Sequence, residues 1–223
     1  MGGSAVESPF CGSDDPDLKL IETLLWDGNG FARLARHLAR LERSARMLGW
    51  GCDPVVVAAA LRGAAPLTPA RMRLTLDAAG QVQVTAAALP AARPLWRLGL
   101  ADARLDADDP WLRVKSTRRG AYDAARAALV PGLDEVVFLN QRGEVCDGTI
   151  TTLFFDAGTG LCTPPLTSGL LPGVLREELL ARGRCFESVL AGADLPHVRL
   201  WVGNSLRGLS PATWAGQAAG GGR

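Results

Sequence analysis

The feature that most restricts how this chain can fold is a stripe of apolar residues with a helical period. Leu34, Leu38, Leu41, Ala45 and Leu48 recur at three- and four-residue spacing, with arginines and a glutamate between them. That spacing places all five on one helix face. It predicts a helix over residues 31–48, stopped by Gly49 and Gly51. The segments around it carry a different pattern. Leu20–Trp26 is a short apolar run of strand character, closed by the turn Asp27-Gly28-Asn29-Gly30. Residues 71–76 and 81–87 flank Asp77-Ala78-Ala79-Gly80 and predict a hairpin, while 54–62 predicts a second short helix. The first part of the chain therefore reads as an α+β unit.

Residues 90–94 are a Pro/Ala-rich joint and mark a domain boundary. Beyond it, strands are expected at 96–101, Glu135–Asn140, 153–156 and 198–202. Helices are expected at 120–129, stopped by Pro131-Gly132, and from Pro172-Gly173 through about Arg182. This second part reads as mixed α/β. Residues 1–19, rich in Gly, Ser, Asp and Pro, read as a disordered lead-in, and the Gly/Ala-rich 215–223 as a flexible tail. The resulting organisation is a small N-terminal domain at 20–94 and a C-terminal domain at 95–214.

Composition removes several classes of function. A net charge of +1 lacks the electrostatic footprint of a nucleic-acid binder. Apolar runs such as 55–61 fall far short of the ~20 residues a membrane helix needs. The N-terminus has no basic region followed by an apolar stretch, so no signal peptide is expected. Five cysteines without CxxC or His-paired spacing predict reduced thiols, no metal and a cytoplasmic location. One bias points towards chemistry. Of 24 Lys and Arg residues, the only lysines are Lys19 and Lys115. Arginine stays protonated, whereas a lysine amine can shed its proton and bond a carbonyl carbon.

Five segments carry the candidate functional residues. In chain order they are His37-Leu-Ala-Arg40-Leu41, then Val114-Lys115-Ser116-Thr117-Arg118-Arg119-Gly-Ala-Tyr122, then Val145-Cys-Asp147-Gly148-Thr149-Ile-Thr-Thr152-Leu-Phe154. Leu171-Pro172-Gly173-Val174-Leu175-Arg176 and Gly203-Asn204-Ser205-Leu206-Arg207-Gly208 follow. Alone, Lys115 reads as a solvated residue in a charge run, Arg40 as a surface helix arginine and Asp147-Gly148 as a turn. Pro172 and Gly173 suit a helix start whatever binds there. His37 reads as a capping or packing residue. Tyr122, the only tyrosine, reads as packing in the helix after the lysine, with reach to a bound group as the alternative.

Taken in this order, over about residues 20–212, the segments resemble the class IV aminotransferase family, the fold-type IV pyridoxal 5'-phosphate (PLP) enzymes. The resemblance implies a two-domain fold like D-amino-acid aminotransferase, with a small N-terminal α/β domain and a larger C-terminal α/β pseudo-barrel. It implies PLP as cofactor, a homodimer and a small amino-acid-like substrate. By the same resemblance Lys115 is the catalytic lysine that bonds PLP. Asp147 stands where the family has Glu facing the pyridine nitrogen, on a stem one methylene shorter. Thr152 stands in place of a frequent Asn. The phosphate falls to Arg40, Gly173, Val174, Leu175 (where relatives carry Thr), Ser205 and the Leu206 amide. Free N–H groups and the dipole at a helix start suit such an anion. Arg207, just after this loop, is a candidate for a substrate carboxylate. The chain keeps Ile21-Glu22-Thr23 of the family's opening segment and lacks the strand usually before it. Three functions stay open. The first is 4-amino-4-deoxychorismate lyase, releasing pyruvate and forming 4-aminobenzoate for folate synthesis. The second is a branched-chain or D-amino-acid transaminase using 2-oxoglutarate, and the third an inactive PLP-binding homologue.

Overall fold

The computed structural model describes residue 10 and residues 15–216. The expectations for residues 1–9, 11–14 and 217–223 lie outside the described residues. In the described part of the lead-in, Phe10 and Leu18 are buried while residues 15–17 are exposed, and the Phe10 ring meets Trp111 edge-on at 5.1 Å.

The chain begins with β1 (Leu20–Trp26), α1 (Leu34–Met47), α2 (Pro54–Gly63), β2 (Ala70–Leu76) and β3 (Val82–Ala87). The three strands form an antiparallel sheet with β2 in the centre. α1 starts three residues later than its apolar period suggests. Phe31 instead bridges back to Trp26, with the two rings 4.8 Å apart, and Arg33 turns the chain at φ 59°. α2 opens with Pro54 in its first turn, and the Asp53 side chain accepts from the amides of Val55 and Val56.

The buried face of α1 is not simply its apolar stripe. His37, Arg40, Leu41, Ser44 and Ala45 are buried, whereas Leu34, Leu38 and Leu48 are only partly so. Leu41 and Ala45 cover Leu20, Leu24, Met72 and Leu74 of the sheet. The polar members of that face belong to the site described below.

The second sheet contains β4 (Trp96–Leu105), β5 (Glu135–Asn140), β6 (Val145–Gly148), β7 (Thr152–Asp156), β8 (Cys162–Thr163), β9 (Phe186–Glu187), β10 (Arg199–Asn204) and β11 (Gly208–Gly216). Its order is β6-β5-β4-β11-β10-β7-β8-β9. β4 pairs in parallel with β5 and β11; β10 pairs antiparallel with β7 and β11. Two helices accompany it, α3 (Gly120–Ala127) and α4 (Val174–Ala181). Phe138 of β5 packs towards Tyr122 and Ala125 of α3, while Phe154 of β7 meets Leu175 of α4. The expected strand at 198–202 lies one to two residues later, and 96–101 extends to Leu105. β6 and β11 were not expected. Among the described residues, no helix is long and apolar enough to cross a membrane.

Candidate active site

The lysine segment is pinned between the two sheets. After a 3-10 turn at Pro110–Arg113, the Ile21 amide donates to the Lys115 carbonyl at 2.8 Å, and the Thr117 amide to the Lys19 carbonyl at 2.8 Å. Trp111, within that turn, and Val114, just after it, are buried in the core of the first sheet. The backbone of Lys115 thus lies antiparallel beside β1, and its side chain enters a cavity of about 440 Å³. All ten sequence-predicted residues line this cavity: Arg40, Lys115, Asp147, Thr152, Gly173, Val174, Leu175, Ser205, Leu206 and Arg207. His37 and Tyr122 line it as well.

Two titratable groups there are strongly shifted. Burial lowers the Lys115 amine to about 8; Arg40 and Arg119 push the same way, against Glu22 and Asp147. An amine at that value is neutral in a useful fraction near physiological pH and can act as nucleophile or base. Burial raises the Asp147 carboxyl to about 8, with Glu135 adding to the rise and the Gly148 amide, Arg176 and Lys115 opposing it. Asp147 Oδ1 is buried and has no hydrogen-bond partner among the described residues. An unsatisfied buried acceptor is costly unless a donor arrives.

Another part of the cavity wall gathers groups that suit an anion. α4 starts at Gly173 with no side-chain cap, leaving its first amides to the cavity side. A side chain at Gly173 would force Thr152 or the helix start to shift, because a Cβ would stand 2.7 Å from Thr152 Oγ1. Thr152 therefore packs against the start of α4. The Leu175 side chain turns into the cluster with Phe154 and Cys185, under Gly203. Arg40 is buried and bidentate on Glu22, at 2.8 and 2.7 Å, and its Nη1 reaches the Pro172 carbonyl at 3.2 Å. Of its five N–H groups these contacts use three, leaving two. The Leu206 amide, expected to meet phosphate, donates to Asn204 Oδ1 at 3.1 Å, and the Arg207 amide does the same at 3.0 Å. Arg207 itself lies over the Trp96 ring at 5.4 Å and donates to the Ala91 carbonyl.

Several residues of the site were not read from the sequence. His37 is no cap: it is 1% exposed, between Glu22 and Ser205. Glu22 is 2% exposed in a strand of Leu, Ile and Thr, and a lone carboxylate in an apolar strand was the signal. Glu135 is fully buried and holds the loop after Asp147. It accepts from the Thr149 and Ile150 amides, at 3.0 and 3.1 Å, and from the Thr149 and Thr151 hydroxyls. Tyr122 packs edge-on to Phe138 at 5.1 Å, and burial raises its hydroxyl above the ordinary range.

The residues present fit PLP on these observations. A buried amine with a lowered pKa faces a cavity whose other walls offer an unpartnered carboxylate oxygen and an uncapped helix start beside a buried arginine. Comparison with known proteins gives the same answer. A family profile described as amino-transferase class IV matches residues 19–214. A Schizosaccharomyces pombe protein provisionally named aminodeoxychorismate lyase is 30% identical over 181 residues, 75% of each chain. A Mesorhizobium loti structure provisionally named an amino-acid aminotransferase is 46% identical, covering 89% of this chain and all of that one, with a TM-score of 0.85. The fold is shared with 4-amino-4-deoxychorismate lyase of Pseudomonas aeruginosa, at 22% identity and TM-score 0.80, over all of this chain and 92% of that one. The chain belongs to the class IV aminotransferase family, the fold-type IV PLP-dependent enzymes.

Proposed function

We propose that this protein binds PLP through Lys115 and acts as a 4-amino-4-deoxychorismate lyase. The observation that carries the choice of substrate is the charge of the cavity wall. Arg71, Arg73, Arg118, Arg119, Arg126 and Arg207 line it, against Asp123 and Asp147 as the acidic lining residues. The crowding is close enough that burial together with Arg93, Arg126 and Arg71 lowers the Arg207 guanidinium. Such a wall suits a substrate carrying two carboxylates beside the amine that the cofactor bonds. Aminodeoxychorismate is of that kind. The fission-yeast relative's name supports the same reading.

When bound, PLP supplies an aldehyde for the lysine and an electron-withdrawing ring. Arg40, the amides at the start of α4 and Ser205 would hold its phosphate, and Asp147 its ring nitrogen. Lys115 would take the proton from the substrate carbon that bears the amine. The carbon–oxygen bond to the pyruvyl group then breaks, the ring becomes aromatic, and the departing enol takes a proton to become pyruvate. No amino acceptor is consumed. The test is to supply aminodeoxychorismate without any keto acid. Catalytic release of pyruvate and 4-aminobenzoate is expected. Turnover only of leucine, valine or a D-amino acid, and only with 2-oxoglutarate, would replace the lyase by a transaminase. That second reading draws support from the Mesorhizobium relative's name.

The working form in this proposal is a homodimer. Ile150, 37% exposed, lines the cavity itself, so a second copy can complete the wall. Four free cysteines among the described residues support a reducing, cytoplasmic setting.

A further inference from the structure

Beside the anion end of the cavity runs a buried chain of side chains that phosphate contacts alone leave without a role. His37 Nδ1 lies 2.6 Å from Glu22 Oε2, and His37 Nε2 lies 2.7 Å from Ser205 Oγ. Glu22, His37 and Ser205 are 2%, 1% and 6% exposed. Glu22 fixes where the protons sit. Burial alone would raise its carboxyl, but the Arg40 charge and the hydrogen bonds from His37 and Arg40 outweigh it and hold it at about 2. An ionised carboxylate only accepts, so the His37 ring carries a proton on Nδ1. With the ring neutral, Nε2 is bare and the Ser205 hydroxyl must donate to it. The Ser205 oxygen then offers the cavity lone pairs alone, which repel an anion. A proton on Nε2 reverses that bond. The ring now donates to Ser205 Oγ, and the hydroxyl proton is free to turn towards the cavity.

We propose that His37 is a positioning residue for the anion site, and that a tetrahedral oxyanion seated at Ser205 is bound together with one solvent proton on His37 Nε2. This rests on reading the cavity as a cofactor site with its phosphate end at Ser205. Charges of both signs surround the ring. Glu22 on β1 favours the doubly protonated ring, and Arg40 on α1 and Arg33 just before it oppose it. Arg33 donates to the Ser205 carbonyl at 3.2 Å while paired with Glu178 of α4, and Glu177 lies one residue before. Lys115 and Asp147 face the same cavity. An arriving dianion adds negative charge on the Ser205 side, and the ring gains its second proton.

Nitrogen-15 NMR of the histidine side chains reads this directly, because the chain has two histidines and His197 is exposed. Sulfate is the probe, since at neutral pH it has no proton to give to Ser205; PLP is added in a parallel sample and followed by absorbance. Slightly above neutral pH, both should convert His37 from a ring protonated on Nδ1 to a doubly protonated one, with His197 unmoved. Sulfate affinity should fall about tenfold per pH unit once His37 must be charged to bind it. In Ser205→Ala the ring should stay neutral with sulfate present. A neutral His37 with PLP bound on Lys115 overturns the proposal and leaves the cofactor reading standing. Protonation that persists in Ser205→Ala also overturns it, because the hydroxyl is then not the link. Failure of PLP to bind overturns both.

Discussion

Lys115 and Asp147 share one cavity and are pushed towards each other's range, the amine down and the carboxyl up, until both lie at about 8. For the carboxyl this has a measurable cost. In the unfolded chain Asp147 ionises near its ordinary 3.8, whereas the cofactor-free fold keeps the proton up to about 8. The folded state thus binds more protons between those values, and stability falls as pH rises across that window, by up to about 1.4 kcal/mol per pH unit. Glu22, held at about 2, works in the opposite direction below its ordinary 4.5. Asp147→Asn removes the titrating group, so thermal unfolding of the cofactor-free variant should lose the decline between about pH 4 and 8. Identical slopes in both proteins would place the decline elsewhere. At this scale the sequence was half legible. Lys115 and Asp147 stood out because their segments resemble a known pattern. The roles of Glu22 and His37 were not legible, because the partner that gives His37 its role, Ser205, lies 168 residues away.

The elements that position these groups follow from local signals where those signals are strong. β1 and β5 run as their apolar composition predicts, and α1 ends at its glycines. β6 is only four residues long, and β11 carries Gly208 and Pro211 in place of an apolar alternation. Their strand character comes from pairing with β5, β10 and β4, which no local pattern encodes. α4 is the element on which the anion end depends, and its start depends on close approach to β7. Gly173→Ala would place a methyl 2.7 Å from Thr152 Oγ1, for a cost of about 1–3 kcal/mol and a displaced helix start. Thr152→Ala removes the obstructing hydroxyl, so the double variant should recover most of the stability and cofactor affinity lost in Gly173→Ala. A double variant no better than the single would show that Thr152 is not the constraint.

Taken whole, the molecule places its chemistry where two sheets meet. The Lys115 segment is joined by backbone hydrogen bonds to the first sheet, while Asp147, the start of α4 and Ser205 come from the second. This convergence explains why the motif order was readable and the cavity was not: the order lies along the chain, and the cavity exists only after β1 has captured residues 115–117. The same geometry leaves Ile150 at a half-open wall. Sedimentation of the active protein should therefore show a dimer, and a monomer that turns over substrate at full rate would contradict that assembly. The central claim, that Lys115 is the residue that bonds PLP, has a more direct test. Borohydride reduction of the protein with PLP bound, followed by peptide mass analysis, should place one phosphopyridoxyl group on the peptide containing Lys115, and Lys115→Ala should take up none. A label on Lys19, or no label on a protein saturated with PLP, would contradict the account.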